Sequence, residues 1–137
     1  MYNITELIPQ RAPIVMVDEF RGIDDSNASH TILTVRADNI FVEDDILDEC
    51  GVIEHIAQSA AARVGYLCRE SGKDVPLGYI GSINNFQLMF HPEVNDVVET
   101  RIDIIQEVFN ISLIEACCMV NGRCAAVCRM KIFLDND

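Results

Sequence analysis

Hydrophobic and polar positions follow three different rhythms along this chain. The opening, Leu7-Ile8-Pro9-Gln10-Arg11-Ala12-Pro13, has no period, and its two prolines break any helix. It predicts a short irregular arm, which leads into the apolar run Ile14-Val15-Met16-Val17 and a polar turn over residues 22–27. Residues 29–36, rich in Thr, Ile and Val, predict a strand. From residue 50 to residue 70 the rhythm turns helical: Ile53, Ile56, Ala57, Ala60, Val64 and Leu67 recur at helical spacing in an alanine-rich stretch. Ser71-Gly72-Lys73 closes that helix. At 1.5 Å per residue it spans roughly 30 Å, the width of a small domain. Ala57, Ala60 and Ala61 are small enough to let a sheet approach it closely.

Beyond the helix the period falls to two. Residues 79–90 predict a long strand. Val98, Thr100, Ile102 and Ile104 predict the mostly apolar face of another, with Glu99, Arg101 and Asp103 on its other face. Residues 111–120 and 123–134 follow, joined by Asn121-Gly122, a pair suited to a tight hairpin because both central positions need positive φ. On the last strand Cys124, Ala126, Cys128, Met130, Ile132 and Leu134 are expected on one face, with Arg123, Arg129 and Lys131 on the other. One long helix set among strands is an α+β plan, with an antiparallel sheet that the apolar helix must cover.

Composition narrows the function. With 137 residues, half of them hydrophobic, the chain is expected to form one domain over residues 1–137. Its formal charge of −12 argues against binding nucleic acid or an anionic membrane, since both need clustered positive charge. No apolar run approaches the ~18 residues of a membrane span, and the first six residues lack a signal-peptide pattern, so a cytoplasmic protein is expected. The six cysteines are then expected as reduced, buried thiols. Cys117 and Cys118 are adjacent and point to opposite faces of a strand, so no metal site is expected. The acidic run Glu43-Asp44-Asp45-Ile46-Leu47-Asp48-Glu49 reads as a solvated loop that places negative charge near a helix N-terminus.

Candidate chemistry gathers where the helix begins, at Gly51-Val52-Ile53-Glu54-His55-Ile56-Ala57-Gln58. Glu54 and Gln58 are four apart and share a face, ringed by Ile53, Ile56 and Ala57. There Glu54 is either a general acid or base or an ordinary first-turn carboxylate that stabilises the helix dipole. Backbone amides near Gly51 are placed to polarise a carbonyl oxygen. His55 lies about 100° around the helix from Glu54. His91, before Pro92, reads as a strand-end residue, and His30 as an exposed one. No serine-hydrolase order, phosphate-binding glycine loop or dinucleotide fingerprint is present, and no cofactor is expected.

Three segments together carry a resemblance. Residues 7–18, residues 51–60, and the stretch Tyr79-Ile80-Gly81-Ser82-Ile83-Asn84-Asn85-Phe86 followed by His91-Pro92 and Asn95-Asp96 resemble the 3-hydroxyacyl-(acyl carrier protein) dehydratases of fatty acid synthesis. The Ile-Glu-His-Ile-Ala-Gln helix start is most similar to the dehydratase branch linked to aryl polyene synthesis. The resemblance implies a hotdog fold, in which an antiparallel sheet wraps around one long central helix and two subunits pair. It implies removal of a proton beside a thioester and loss of the β-hydroxyl as water, with a histidine as base and the helix carboxylate assisting hydroxyl departure. Aligning Phe41 and Glu54 with the family pattern places Ile40 at the histidine position, and the family's proline-glycine pair becomes Glu49-Cys50-Gly51. An isoleucine cannot accept a proton.

The resemblance thus implies Glu54, Gln58 and His55 as catalytic candidates, with His55 or His91 as substitutes for the missing base. Gly51, Val52, Phe41 and Ile40 are the candidates for substrate binding. The implied substrate is an acyl thioester on acyl carrier protein or coenzyme A. The implied assembly is a homodimer or higher oligomer, or a heterodimer with a related hotdog subunit. A thioesterase using Glu54 and a non-catalytic subunit are the alternatives. An acidic carrier would need a local basic patch, from Arg63, Arg69 and Lys73 or from Arg123, Arg129 and Lys131.

Overall fold

The computed structural model describes residues 2–135, apart from the side chain of Tyr79; Met1, Asn136 and Asp137, counted in the expected domain, lie outside them. Five long or medium strands and one short one form a six-stranded antiparallel sheet: β1 (Glu19–Ile23), β2 (Ser29–Thr34), β5 (Leu77–Leu88), β6 (Val97–Val108), β7 (Ile111–Val120) and β8 (Arg123–Asp135). Their spatial order is β1-β2-β6-β7-β8-β5, so β1 and β5 are its edges. The single α-helix, α1 (Glu49–Glu70), touches β1, β2, β5, β6 and β8, as a helix does when a sheet curls around it. This is the expected α+β plan. No helix among the described residues is long and apolar enough to cross a membrane.

The core lies between the helix and the inner sheet face. Val52, Ile56 and Ala60 of α1 meet Leu33, Val98, Ile102, Ile114, Ala116 and Met130. A smaller cluster under the arm joins Leu7, Ile8, Phe20 and Ala62. β6 alternates as expected, burying Val98, Thr100 and Ile102. The β7–β8 hairpin turns through Asn121 (φ 51°) and Gly122 (φ 76°), the pair of positive φ values that a tight two-residue turn demands.

Four local features are set by the fold rather than by the local sequence pattern. β1 forms from Glu-Phe-Arg-Gly-Ile, a segment with weak strand propensity that takes its conformation from pairing with β2. The apolar run at residues 14–17 joins no strand; Met16 and Val17 are buried in an arm that crosses the helix. Within the acidic run, β3 (Val42–Glu43) and β4 (Ile46–Leu47) make a miniature hairpin, with Asp44 and Asp45 both at positive φ. Aspartate tolerates that region better than most residues, which lets a charge run turn the chain. Finally, a bulge between Cys118 and Met119 buries both Ala125 and Ala126, so Cys124 leaves the inner face it was expected to share with Ala126 and Cys128.

Candidate active site

The loop before α1 ends at Asp48, whose side chain accepts a hydrogen bond from the Cys50 amide and whose carbonyl accepts from the Gly51 and Val52 amides. This cap occupies the amides near Gly51 that were expected to polarise a carbonyl oxygen. Asp48 and Glu49 supply the negative charge of the first turn. Glu54 is the sixth residue of the helix and so lies past the turn where helix-dipole stabilisation acts most strongly.

Glu54 is half-buried, and burial raises its pKa above the ordinary carboxylate value, partly opposed by a hydrogen bond from Gln58. The Gln58 Nε2 lies 3.3 Å from Glu54 Oε2 and 2.7 Å from the Ile14 carbonyl, while its Oε1 accepts from the Met16 amide at 2.5 Å. A carbonyl only accepts and an amide N–H only donates, so these two backbone groups dictate which way the Gln58 amide points. Fully buried, Gln58 ties the arm to the helix and aims its remaining donor at Glu54.

Glu54 stands in the lining of an apolar groove of about 260 Å³. Ala57, Ala61 and Val64 continue from it along one helix face, while Ile80, Ile132 and Leu134 of β5 and β8 form the opposite wall. Gln10, on the arm, sits at the same groove. These lining residues were not expected as site residues, although a signal was present: positions 54, 57, 61 and 64 follow the i, i+3, i+7, i+10 rule for a single helix face. Ala60, by contrast, packs into the core.

Other expected site residues lie elsewhere. His55 is fully buried, with Nδ1 2.6 Å from the Met16 carbonyl and Nε2 2.7 Å from Thr100 Oγ1. Burial pushes its pKa down to about 4. The neutral ring must donate through Nδ1 to the carbonyl and accept at Nε2 from the Thr100 hydroxyl. Both nitrogens are therefore engaged within the fold, and His55, expected as an acid–base candidate, does not line the Glu54 groove. His91 bonds the Leu47 carbonyl through Nδ1 at 2.8 Å and borders a different hollow with Phe90, Glu93 and Arg123. His30 pairs with Asp24 at 2.7 Å.

The expected substrate-binding residues do not line the Glu54 groove. Gly51 and Val52 are buried, and a Cβ on Gly51 would come within 2.6 Å of Phe41 Cβ, so that glycine lets the loop pack on the helix. Phe41 is half-buried against the core, and Ile40 projects outward, 49 % exposed. Nor is Arg63 available to a surface patch: it is buried and donates to the Asn27 carbonyl and Asn27 Oδ1. Arg129 is paired with Glu115 and Arg123 lies over the Phe90 ring, while both remain exposed. Among the described residues no three His, Cys, Asp or Glu side chains converge to hold a metal ion.

A family model described as ApeP-like, ApeP dehydratase, matches residues 2–137. A comparison with curated protein sequences finds no match. The dehydratase heterocomplex ApeI:P from Xenorhabdus doucetiae contains a chain of the same fold, with a TM-score of 0.92 at 18% identity, covering 100% of this chain and 93% of that one. Cj0977, a sigma28-regulated virulence protein from Campylobacter jejuni, superposes with a TM-score of 0.73 at 12% identity over 98% of this chain and 96% of that one. A hypothetical thioesterase with coenzyme A from Streptococcus pneumoniae TIGR4 reaches 0.65 at 11% identity, over 85% and 84%. At these identities the structures establish the hotdog fold.

Proposed function

Because this chain belongs to the ApeP-like dehydratase family, we propose that it takes part in dehydrating 3-hydroxyacyl thioesters, with Glu54 as its reacting group and the base supplied by a related hotdog subunit. One observation carries this reading: a single half-buried carboxylate faces an apolar groove whose described lining contains no histidine. The acyl chain lies along Ala57, Ala61 and Val64, which places the thioester end near Glu54. Base and acid then divide the reaction. A base takes the proton from the carbon beside the thioester, the double bond forms, and the β-hydroxyl leaves with a proton from Glu54 as water. Burial raises the Glu54 pKa and so increases its protonated share near neutral pH, as a general acid requires. Gln58 holds the carboxyl in place. On the alignment of Phe41 and Glu54 with the family pattern, Ile40, exposed and without a titratable group, falls at the position of the family's base, and we assign that role to the partner.

The partner reading has its own support. β5 is a twelve-residue edge strand, and its Leu77, Ile80 and Ile83 are between 40 % and 44 % exposed. Long apolar edges are rare in chains that work alone. Gly78 and Ile80 of the same strand form part of the groove wall, so a subunit pairing along β5 would close the groove. The ApeI:P heterocomplex is a dehydratase built of two different chains, and a heterodimer is the assembly we infer here. The carrier is an acyl carrier protein, docked on the exposed Arg123, Arg129 and Lys131; charge reversal there should weaken docking, and unchanged docking would refute that site.

The deciding experiment supplies a 3-hydroxyacyl thioester to this chain co-purified with a hotdog subunit that carries the family histidine. Enoyl product is expected from the pair and not from this chain alone. Glu54→Gln should leave the pair assembled and reduce turnover by roughly 10²–10⁴. Turnover unchanged by Glu54→Gln refutes the assignment. Thiol release without enoyl product, lost in the same variant, assigns the groove to thioester hydrolysis instead.

A further inference from the structure

Three sulfur atoms meet on the outer face of the sheet, away from the Glu54 groove. Cys117 Sγ lies 3.7 Å from Cys124 Sγ and 3.7 Å from Met119 Sδ. The adjacent Cys118 points inward and is fully buried. The β-bulge creates the cluster. Cys117 pairs with Val127 and Met119 with Cys124, so the extra residue at Ala125 turns Cys124 to the outer face, diagonal to Cys117. From the spacing of the cysteines in the sequence no such meeting could be read.

The geometry points to a binding site for a soft monovalent metal ion, Cu(I) in chemical class, held by the Cys117 and Cys124 thiolates and the Met119 thioether. The separation of the two thiols is the first argument. An ion bonded to both sulfurs at about 2.3 Å, with the sulfurs 3.7 Å apart, subtends an angle of about 107°, an unstrained value for three or four ligands. A direct disulfide fits less well. It needs sulfurs about 2.05 Å apart and Cα atoms within about 6.8 Å, whereas diagonal cross-strand Cα atoms are roughly 7–8 Å apart.

Ligand chemistry selects the ion. Thiolate and thioether sulfur are soft donors that favour Cu(I), whereas a structural zinc site prefers four thiolate or imidazole ligands. The three residues are half-buried, which leaves them reachable while limiting water around the ion. Burial holds the Cys117 pKa up at about 11, so it is protonated when no ion is present. As each of the two thiols bonds the ion its S–H proton passes to water, the Met119 thioether binds without losing a proton, and no electron moves.

The test uses Cu(I) under anaerobic conditions with bicinchoninate as the competing chelator, so that transfer of copper to the protein is read as loss of the chelator's colour. The intact chain is expected to take one equivalent. Cys117→Ser and Cys124→Ser should each lower the affinity by about 100-fold, and Met119→Leu by about tenfold. Cys50→Ser and Cys68→Ser, remote partly accessible thiols, should retain the full equivalent. Far-UV circular dichroism establishes that each variant is folded. If one serine variant fails to fold, X-ray absorption of the copper-loaded intact chain still decides, with three sulfur neighbours expected. Copper uptake that survives the double Cys117→Ser, Cys124→Ser substitution, or an intact chain that takes no copper from the chelator, overturns the proposal. A copper shell dominated by nitrogen or oxygen overturns it as well.

Discussion

Glu54 and His55 are consecutive residues of one helix, and both can exchange protons. Their surroundings separate them. Glu54 looks into an apolar groove, half-buried, with one weak donor from Gln58 and open space beside it. His55, about 100° further around the helix, is fully enclosed, with a backbone carbonyl on one nitrogen and a hydroxyl on the other. Burial shifts both pKa values toward the neutral form, up for the acid and down for the base. On one side that shift suits a group for giving away a proton; on the other it fixes a group as a dry structural strut. Titratability is therefore a weak guide to chemistry until the open face of the helix is known.

This contrast can be broken in graded ways. The largest effect belongs to Glu54→Gln, which should cut enoyl formation by roughly 10²–10⁴ while moving the unfolding midpoint little, since the replacement is isosteric. The reverse pattern is expected for His55→Leu. It leaves the Met16 carbonyl without its donor and takes from the Thr100 hydroxyl its acceptor, and should cost about 2–4 kcal/mol in urea unfolding. If His55→Leu abolished turnover in a complex of unchanged stability, the division between the two faces would fail.

Acid offers a sharper version. His55 titrates near 6.5 when unfolded and about 4 in the fold. Between those values the unfolded chain binds more protons, so stability is complete above pH 6.5 and falls as pH drops toward 4. The loss should approach about 3 kcal/mol. Unfolding followed across that window should show the slope in the intact chain and a smaller one in His55→Leu. The smallest expected effect is Ala61→Leu, which narrows the groove one turn beyond Ala57. It should raise KM about tenfold for a long acyl thioester and much less for a short one, with stability within ~0.5–1 kcal/mol of the intact chain.

The same pair shows what the sequence revealed. Helical spacing placed Glu54 and Gln58 on one face, and the strand alternation of β6 and the Asn121-Gly122 turn were legible because each depends on neighbours a few residues away. His55 was not, because its burial depends on Met16 and Thr100, 39 and 45 residues distant. β1 is illegible for a related reason: Phe20 and Ile23 are interrupted by Arg21 and Gly22, and β2 imposes the pairing. Cys124 went to the wrong face because one bulged residue reverses the side-chain alternation beyond it. Of the site, the carboxylate was visible and the groove walls were not, since β8 reaches the helix only through the fold.

The arm crossing the helix has a consequence for how the chain is made. Met16 leaves the ribosome well before α1 does, yet its amide is bonded by Gln58, 42 residues later, and its carbonyl by His55. Synthesis at about 5–20 residues per second leaves this apolar segment without its native partners for several seconds. Even when α1 is complete, Thr100, which holds His55 from the other side, has still to be made. The arm is therefore secured only after α1 and β6 exist, and a nascent chain halted within β5 would display Met16 and Val17 as a handle for chaperones.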